Sequence, residues 1–296
     1  MNIIKEFLKG ILIGVANIIP GVSGGTMAVS MGVYDKIIKS ITGMSKNFKK
    51  SILTLLPYVI GAATGIGILS FVVRYVLSNY PMQTSGLFIG LIMGGLPILV
   101  KQVKGARFTA ANIIAFAVFF CIVTGMAFLS GNESSTTDIA VNLGTVVQLF
   151  FIGVIASATM IIPGVSGSLV MMICGFYGII ISNISNFISS LLHFDKFALI
   201  HGFGVLFPFG LGVLVGIGLV AKLIEILFAK VPVLTYCAIL GLIVGSPIAI
   251  IYKAGISSIS ILGASVTVVT FCAGFAISFF LGRDENTEPE NVKLES

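Results

Sequence analysis

Charge is what this chain is short of. Asp, Glu, Lys and Arg make up 9% of its 296 residues, against roughly 25% in a soluble domain. Hydrophobic residues supply 57% and the mean hydropathy is +1.12. That excludes a water-soluble globule and describes an integral membrane protein with almost no extramembrane domain. Cysteine is scarce too: Cys121, Cys174, Cys237 and Cys272 stand singly in apolar runs. No pair has ligand spacing, so buried packing thiols are expected and a metal centre is not. There is no nucleotide-binding loop and no helix rich in acids, so no cofactor or coupling ion is indicated. Lys5 and Lys9 precede an apolar run as in a signal peptide. No small-residue cleavage site follows, however, and Gly10–Tyr34 exceeds an h-region of about 7–15 residues, so the segment is expected to be retained. The net charge of +6 sits in short loops, as membrane topology requires, and points to no nucleic-acid partner.

What the chain does have is a repeat. Ile18-Ile19-Pro20-Gly21-Val22-Ser23-Gly24 returns unchanged as Ile161-Ile162-Pro163-Gly164-Val165-Ser166-Gly167, a shift of 143 residues. Across Ile18–Ile41 and Ile161–Ile184, twelve of 24 positions are identical, including Gly32/Gly175 and Tyr34/Tyr177. Further on, Pro57, Gly61, Gly65, Gly67, Pro81, Thr84, Gly90 and Gly94 match Pro208, Gly212, Gly216, Gly218, Pro232, Thr235, Gly241 and Gly245 at a shift of 151. A duplicated unit follows, each copy a motif segment and three apolar helices. Gly61/Gly65 and Gly212/Gly216 have small-xxx-small spacing and read as helix-packing sites. About 20 apolar residues cross a bilayer, but the uncharged run Ile139–Leu192 has 54 and must turn within the membrane.

Charge decides how the motif segments run. If each is a re-entrant hairpin and the N-terminus is cytoplasmic, the loop Asp35–Ser51 keeps its five lysines inside. Three crossings then put Lys101, Lys104 and Arg107 inside and the acidic Glu133–Asp138 loop outside. Inside receives 14 of the 17 basic residues; Arg74, Lys196 and Lys253 stay outside. A fully spanning first segment would instead export five lysines, against the positive-inside bias. A hairpin plus three crossings is an odd number, which inverts the second copy. The expected fold is an all-α polytopic membrane protein of two inverted-topology repeats, each a re-entrant helical hairpin plus three transmembrane helices. The first repeat is residues 1–138 with its hairpin at about 10–34, and the second is 139–282 with its hairpin at about 143–190. Residues 283–296 form a polar, disordered tail. Both termini are expected in the cytoplasm. Paired broken segments in inverted repeats are a transporter architecture.

Pro-Gly-Val-Ser-Gly ends one helix and starts another, exposing amide donors in a nest that suits an anion, phosphate above all. Ser23, Gly24, Gly25 and Thr26 are one candidate half-site; Ser166, Gly167 and Ser168 are the other. Arg74, at the end of an apolar segment, is the candidate cation for the phosphate, with snorkelling to headgroups as its alternative. Glu225, opposite Arg74 in the repeat, lies between Lys222 and Lys230, where a helical ion pair is ordinary. Asn17 either caps the break or touches substrate. Tyr34 and Tyr177, at equivalent hairpin ends, are expected as interfacial anchors, with an accessory role at the site, shared with Glu225, as the alternative. His193 and His201 read as loop histidines. No catalytic residue is expected.

The motifs Pro20–Gly25 with Gly32-Val33-Tyr34-Asp35, and Pro163–Ser168 with Gly175-Phe176-Tyr177, resemble those of bacterial polyprenyl-phosphate translocases of the PopT type. The resemblance covers about residues 1–282. It implies a flippase in the bacterial plasma membrane that returns undecaprenyl phosphate from the outer to the inner leaflet for cell-wall polymer synthesis. Members often carry an acid where this chain has Asn17, and another where it has Gly178; a proton coupling that used those acids is not implied here, and Asp35 remains as the coupling candidate. Undecaprenyl-diphosphate phosphatases also use paired re-entrant Pro-Gly-x-Ser segments, but there an arginine follows the serine and glutamates lie nearby. Here Gly24 and Gly167 follow the serines, which disfavours phosphoryl transfer. A small-anion carrier is the third reading. The pattern specifies no oligomeric state.

Overall fold

The computed structural model describes residues 3–17, 22–128, 141–254 and 260–283. The expected tail beyond residue 283 and the acidic 133–138 loop lie outside the described residues. So do Ile18–Gly21, the opening of the first motif. Among the described residues the chain is helical and contains no strand. In order come α1 (Ile3–Ala16), α2 (Gly24–Ser30), α3 (Tyr34–Thr42), α4 (Phe48–Asn79), α5 (Pro81–Val103) and α6 (Ala110–Phe128). Then come α7 (Leu143–Ile161), α8 (Gly167–Ile173), α9 (Tyr177–His193), α10 (Lys196–Lys230), α11 (Pro232–Lys253) and α12 (Ile261–Arg283). A short 3-10 turn, Gly43–Ser45, joins α3 to α4.

Local chemistry sets these boundaries. Asn142 and Thr145 cap each other reciprocally at the start of α7. The Asp195 carboxylate accepts from the Phe197 and Ala198 amides and opens α10. Pro81 and Pro232 occupy the first turns of α5 and α11, where the missing N–H costs nothing. Gly32 and Gly175 follow α2 and α8 at φ +70° and +78°, a backbone region that side chains with a Cβ avoid. Their identity in both sequence copies therefore has a conformational cause.

Among the described residues, seven helices are long and apolar enough to cross a membrane, by length and composition: α4, α5, α6, α7, α10, α11 and α12. Six such helices are expected from the sequence reading. The additional one is α7, whose 19 residues form the entry limb of the expected second hairpin; its counterpart α1 has 14. The pairing of helices repeats. α1 packs on α4 as α7 packs on α10, while α5 packs on α12 and α6 on α11, each across the two sequence copies. Glycine makes these contacts close. A Cβ on Gly61 would lie 2.3 Å from the Phe7 carbonyl oxygen, and one on Gly212 2.0 Å from that of Phe150. Gly90 meets Phe271 on α12 and Gly241 meets Phe116 on α6 in the same way. The helix-packing role read from the glycine spacing is thus realised between α1 and α4 and between α7 and α10.

The main core joins α2, α3, α5 and α11, with Met27, Met31, Ile92 and Ile243 fully buried. The outer faces of α4, α6, α7, α10 and α12 carry exposed leucine, isoleucine, valine and phenylalanine, the surface that a lipid solvent demands. The cysteines correct the sequence reading: Cys237 is buried, but Cys121, Cys174 and Cys272 are exposed. A run apolar on all sides does not reveal which face turns outward.

Candidate functional site

Each motif copy is followed by a seven-residue helix, α2 or α8. Such short helices sum few peptide dipoles, so their first amides act as individual donors more than through a macrodipole. Ser23 caps α2, its Oγ accepting from the Thr26 amide at 3.1 Å. Ser23 Oγ and Thr26 Oγ1 are 2.9 Å apart. The Gly164 amide, in the second motif, donates to both, at 3.0 Å to Ser23 Oγ and 2.6 Å to Thr26 Oγ1. The two motif copies, 141 and 138 residues apart at these contacts, therefore meet directly. Ser23 is 5% exposed and Thr26 fully buried.

Backbone fit holds this junction. Gly164 has φ +81°, and a Cβ there would lie 2.9 Å from the Leu242 carbonyl oxygen of α11. A Cβ on Gly25 would lie 2.9 Å from the Ile161 carbonyl oxygen. The start of α2 thus abuts the end of α7 with no room for a side chain. Asn17 Nδ2 donates to Ile13, and Asn17 Oδ1 accepts from the Gly24 amide at 3.2 Å. Of the two expectations for Asn17, capping the break is the one this geometry displays. The Tyr34 hydroxyl donates to the Ile161 carbonyl at 3.2 Å, filling a vacant acceptor at the α7 terminus. Tyr34 is 5% exposed. It ties one motif segment to the other in the interior and is no interfacial anchor.

Asp35 is also drawn inward. The Tyr236 hydroxyl of α11 donates to its Oδ2 at 2.9 Å. Phe228 packs edge-on to Tyr34 and tilts against Tyr236, so α3 is clasped by α10 and α11. Burial pushes the Asp35 carboxyl above the usual carboxylate range, opposed by the Tyr236 hydrogen bond and the Lys39 charge. The remaining candidates lie elsewhere or less tightly. Ser166 and Gly167 open α8, where Ser166 O accepts from Val170 N at 3.1 Å. Ser168 and Arg74 lie on α8 and α4, their side chains outside the described ones. Tyr177 starts α9 and is half-buried. Glu225 pairs with Lys222 at 2.7 Å on the exposed side of α10, the ordinary ion pair expected, and takes no part in the motif junction.

Sequence reasoning placed Thr26 in the site for its position, and missed that its hydroxyl receives the Gly164 amide. It also missed Tyr236, which no repeat or motif marks: the matching position in the first copy is Ser85.

Chemically, the junction is a set of hydroxyl oxygens and amide donors converging from both motif copies. Ser23 Oγ and Thr26 Oγ1 accept hydrogen bonds here as the oxygens of an oxyanion would. The chain is 32% identical over 281 residues to the polyprenyl-phosphate transporter of Staphylococcus aureus, covering 94% of this chain and 95% of that one. It is 26% identical over 202 residues to the polyprenyl-phosphate transporter of Vibrio cholerae, covering 63% and 62%. No solved structure gives a significant match. The profile of the VCA0040-like family, described as undecaprenyl phosphate translocase-like, matches residues 13–267, and to that family this chain belongs.

Proposed function

We propose that this protein translocates a polyprenyl phosphate, specifically undecaprenyl phosphate, from the outer to the inner leaflet of a bacterial plasma membrane, returning the carrier for cell-wall polymer synthesis. The observation that carries the reading is the direct meeting of the two motif copies, with Ser23 and Thr26 hydroxyls accepting the Gly164 amide. In the occupied state the phosphate oxygens take the place of those hydroxyl oxygens. Amides of Gly24, Gly25, Gly164 and Gly167, with the hydroxyls of Ser23, Thr26, Ser166 and Ser168, then serve as its ligands. Arg74 supplies the compensating cation. The polyprenyl tail stays in lipid, reaching the site through a lateral opening.

Two inverted repeats, each a re-entrant hairpin and three spanning helices, fit this activity. Rocking one half against the other presents a single midplane site to each leaflet in turn. The repeated pairings α1–α4 and α7–α10 support that symmetry. So does Glu225 of α10, which lies near Thr42 and Lys46: it sets the α10 terminus beside the lysine-rich α3–α4 link, as the positive-inside arrangement requires. The donor set supports transport over phosphoryl transfer. Hydroxyls, amides and a cation bind a phosphate, whereas cleaving one also calls for a nucleophile activated by a base.

The test is a vesicle assay with a fluorescent polyprenyl phosphate. Purified wild-type protein accelerates its exchange between leaflets, and Ser23→Ala with Ser166→Ala slows it. Exchange no faster than in protein-free vesicles sinks the reading. Release of inorganic phosphate from the diphosphate lipid would revive the enzyme in its place, and equal competition by sulfate the small-anion carrier.

A further inference from the structure

The two sequence copies fold into matching helices, α1–α6 against α7–α12, yet their short inner helices are packed differently. At the shift of 143, α2 (Gly24–Ser30) corresponds residue for residue to α8 (Gly167–Ile173). Much of the packing recurs too. The contacts of α1 with α2 and α4, of α3 with α4 and of α4 with α5 reappear between α7 and α8 or α10, α9 and α10, and α10 and α11. Three contacts do not recur. Helix α2 packs on α5 and α7, and α3 packs on α10. Among the described residues, α8 forms no comparable contact with α11 or α1, nor α9 with α4.

Burial follows the packing. Every residue of α2 is buried, whereas in α8 Gly167, Val170, Met171 and Met172 are half-buried and Ile173 is exposed. The side chains do not account for the difference. Tyr34, Ile38 and Ile41 lie at i, i+4 and i+7 on one face of α3, and α9 carries the same three residue types as Tyr177, Ile181 and Ile184. Ile38 is 2% exposed, in a core shared with Ala221, Ile224 and Phe228 of α10; Ile181 is 47% exposed. One apolar stripe is thus covered in the first copy and uncovered in the second.

The chain itself holds a matching surface for the uncovered stripe. In the first copy Tyr34 packs on Phe228 with ring centres 6.4 Å apart, and Val233 joins the same core. At the shift of 151 those partners correspond to Leu77 of α4 and Met82 of α5, both apolar. The polar contact has no such match. Asp35 and Tyr236, joined at 2.9 Å, correspond to Gly178 and Ser85. A hydrogen bond therefore secures one side, and its mirror position lacks both partners.

We infer that this structure is the resting state of an alternating carrier, with α3 docked on α10 and α11 and α9 withdrawn from α4 and α5, and that the Asp35–Tyr236 bond is the one-sided latch that selects it. The inference rests on the translocase reading with its inverted repeats, in which α9 lies toward the outer face. Exchanging the conformations of the two repeats releases α3 and docks α9 on Leu77 and Met82. That second state is held by apolar contacts without a latch, so it is the less populated of the two. The carrier accordingly waits facing the outer leaflet, where the phosphate lipid is collected. Tyr236 is a positioning residue: it acts through α3 on which state waits.

The test is cysteine cross-linking of the full-length protein in vesicles, with Cys121, Cys174, Cys237 and Cys272 replaced. Tyr177→Cys with Leu77→Cys places a pair on α9 and α4 that mirrors the Tyr34–Phe228 contact and meets only in the second state. A short bis-methanethiosulfonate should join it slowly. Tyr236→Phe removes the latch hydroxyl and should raise the rate about tenfold, the worth of one hydrogen bond to a carboxylate. Asp35→Asn weakens the same bond from its other end and should shift the rate in the same direction. Tyr177→Cys with Leu56→Cys, 21 residues away on α4 and so about 30 Å distant, should stay unjoined throughout. No linkage of positions 177 and 77 in any variant, an equal rate with and without the Tyr236 hydroxyl, or linkage of both pairs alike overturns the inference. Lipid exchange in the same vesicles is scored separately: its persistence leaves the translocase reading standing when the latch fails, and its absence removes that reading whatever the linkage.

Discussion

The shared amide at the motif junction makes a quantitative prediction. Gly164 N–H has two acceptors, Ser23 Oγ and Thr26 Oγ1, so either hydroxyl alone still holds it. Thr26→Val keeps the shape of a fully buried side chain and removes one of two acceptors; we expect a loss of about 1 kcal/mol, the net value of one hydrogen bond. Ser23→Ala removes the other and also the α2 cap on the Thr26 amide; about 1–2 kcal/mol follows from the cap. The double variant strands the Gly164 amide among buried groups, adding an unsatisfied-donor penalty of roughly 1–3 kcal/mol that neither single variant suffers. The double loss should therefore exceed the sum of the singles by at least about 1 kcal/mol, a coupling well outside the ~0.3–0.5 kcal/mol scatter of independent sites. Equilibrium unfolding in mixed detergent micelles for wild type, both singles and the double measures it. Additivity within that scatter would mean that the two motif copies do not share the amide, and the junction on which the transport reading rests would go with it.

Three further outcomes are expected. Gly212→Ala places a methyl 2.0 Å from the Phe150 carbonyl oxygen and should cost about 1–3 kcal/mol, whereas Gly218→Ala, with nothing within 4 Å, should be neutral or gain up to ~1 kcal/mol in thermal unfolding; equal effects would refute the close α7–α10 packing. The raised Asp35 carboxyl holds its proton more tightly in the folded chain, so its contribution to stability is present at low pH and is lost as pH rises from the ordinary carboxylate range through the folded value. Asp35→Asn should flatten that decline, and unfolding curves of parallel slope for both proteins would exclude it. Finally, with Cys121, Cys174, Cys237 and Cys272 replaced, a cysteine at Asn47 should react with impermeant maleimide only from the cytoplasmic side; labelling from outside would reverse the first hairpin.

Much of the architecture was legible because the repeat is written in residues that backbones require. Gly61, Gly65, Gly212 and Gly216 sit where helices touch, and Gly32 and Gly175 where the chain takes positive φ. The motif pair marked the junction for the same reason. What stayed hidden is partnership over distance. Tyr34 reads as an anchor because an aromatic near a run's end is common at interfaces, and its partner Ile161 is 127 residues away. The Asp35–Tyr236 bond spans 201 residues and lacks any counterpart in the other copy, where Gly178 replaces the acid. The motif at Pro163 marks where α7 ends, but within a 54-residue uncharged run nothing in the sequence separates the short limb of a hairpin from a helix long enough to cross a membrane.

The cross-pairing of α5 with α12 and α6 with α11 has a consequence for biogenesis. Neither half can complete its own contacts, since the surface of α5 that receives α12 is grooved by Gly86, Gly90 and Gly94 and has no partner until the final helix is made. A ribosome adding roughly 5–20 residues per second needs on the order of ten seconds to travel from one to the other. Throughout that interval the nascent chain must hold a bare, glycine-lined seam in the insertion machinery or against lipid, and a premature stop anywhere before α12 leaves it permanently open to quality-control proteases.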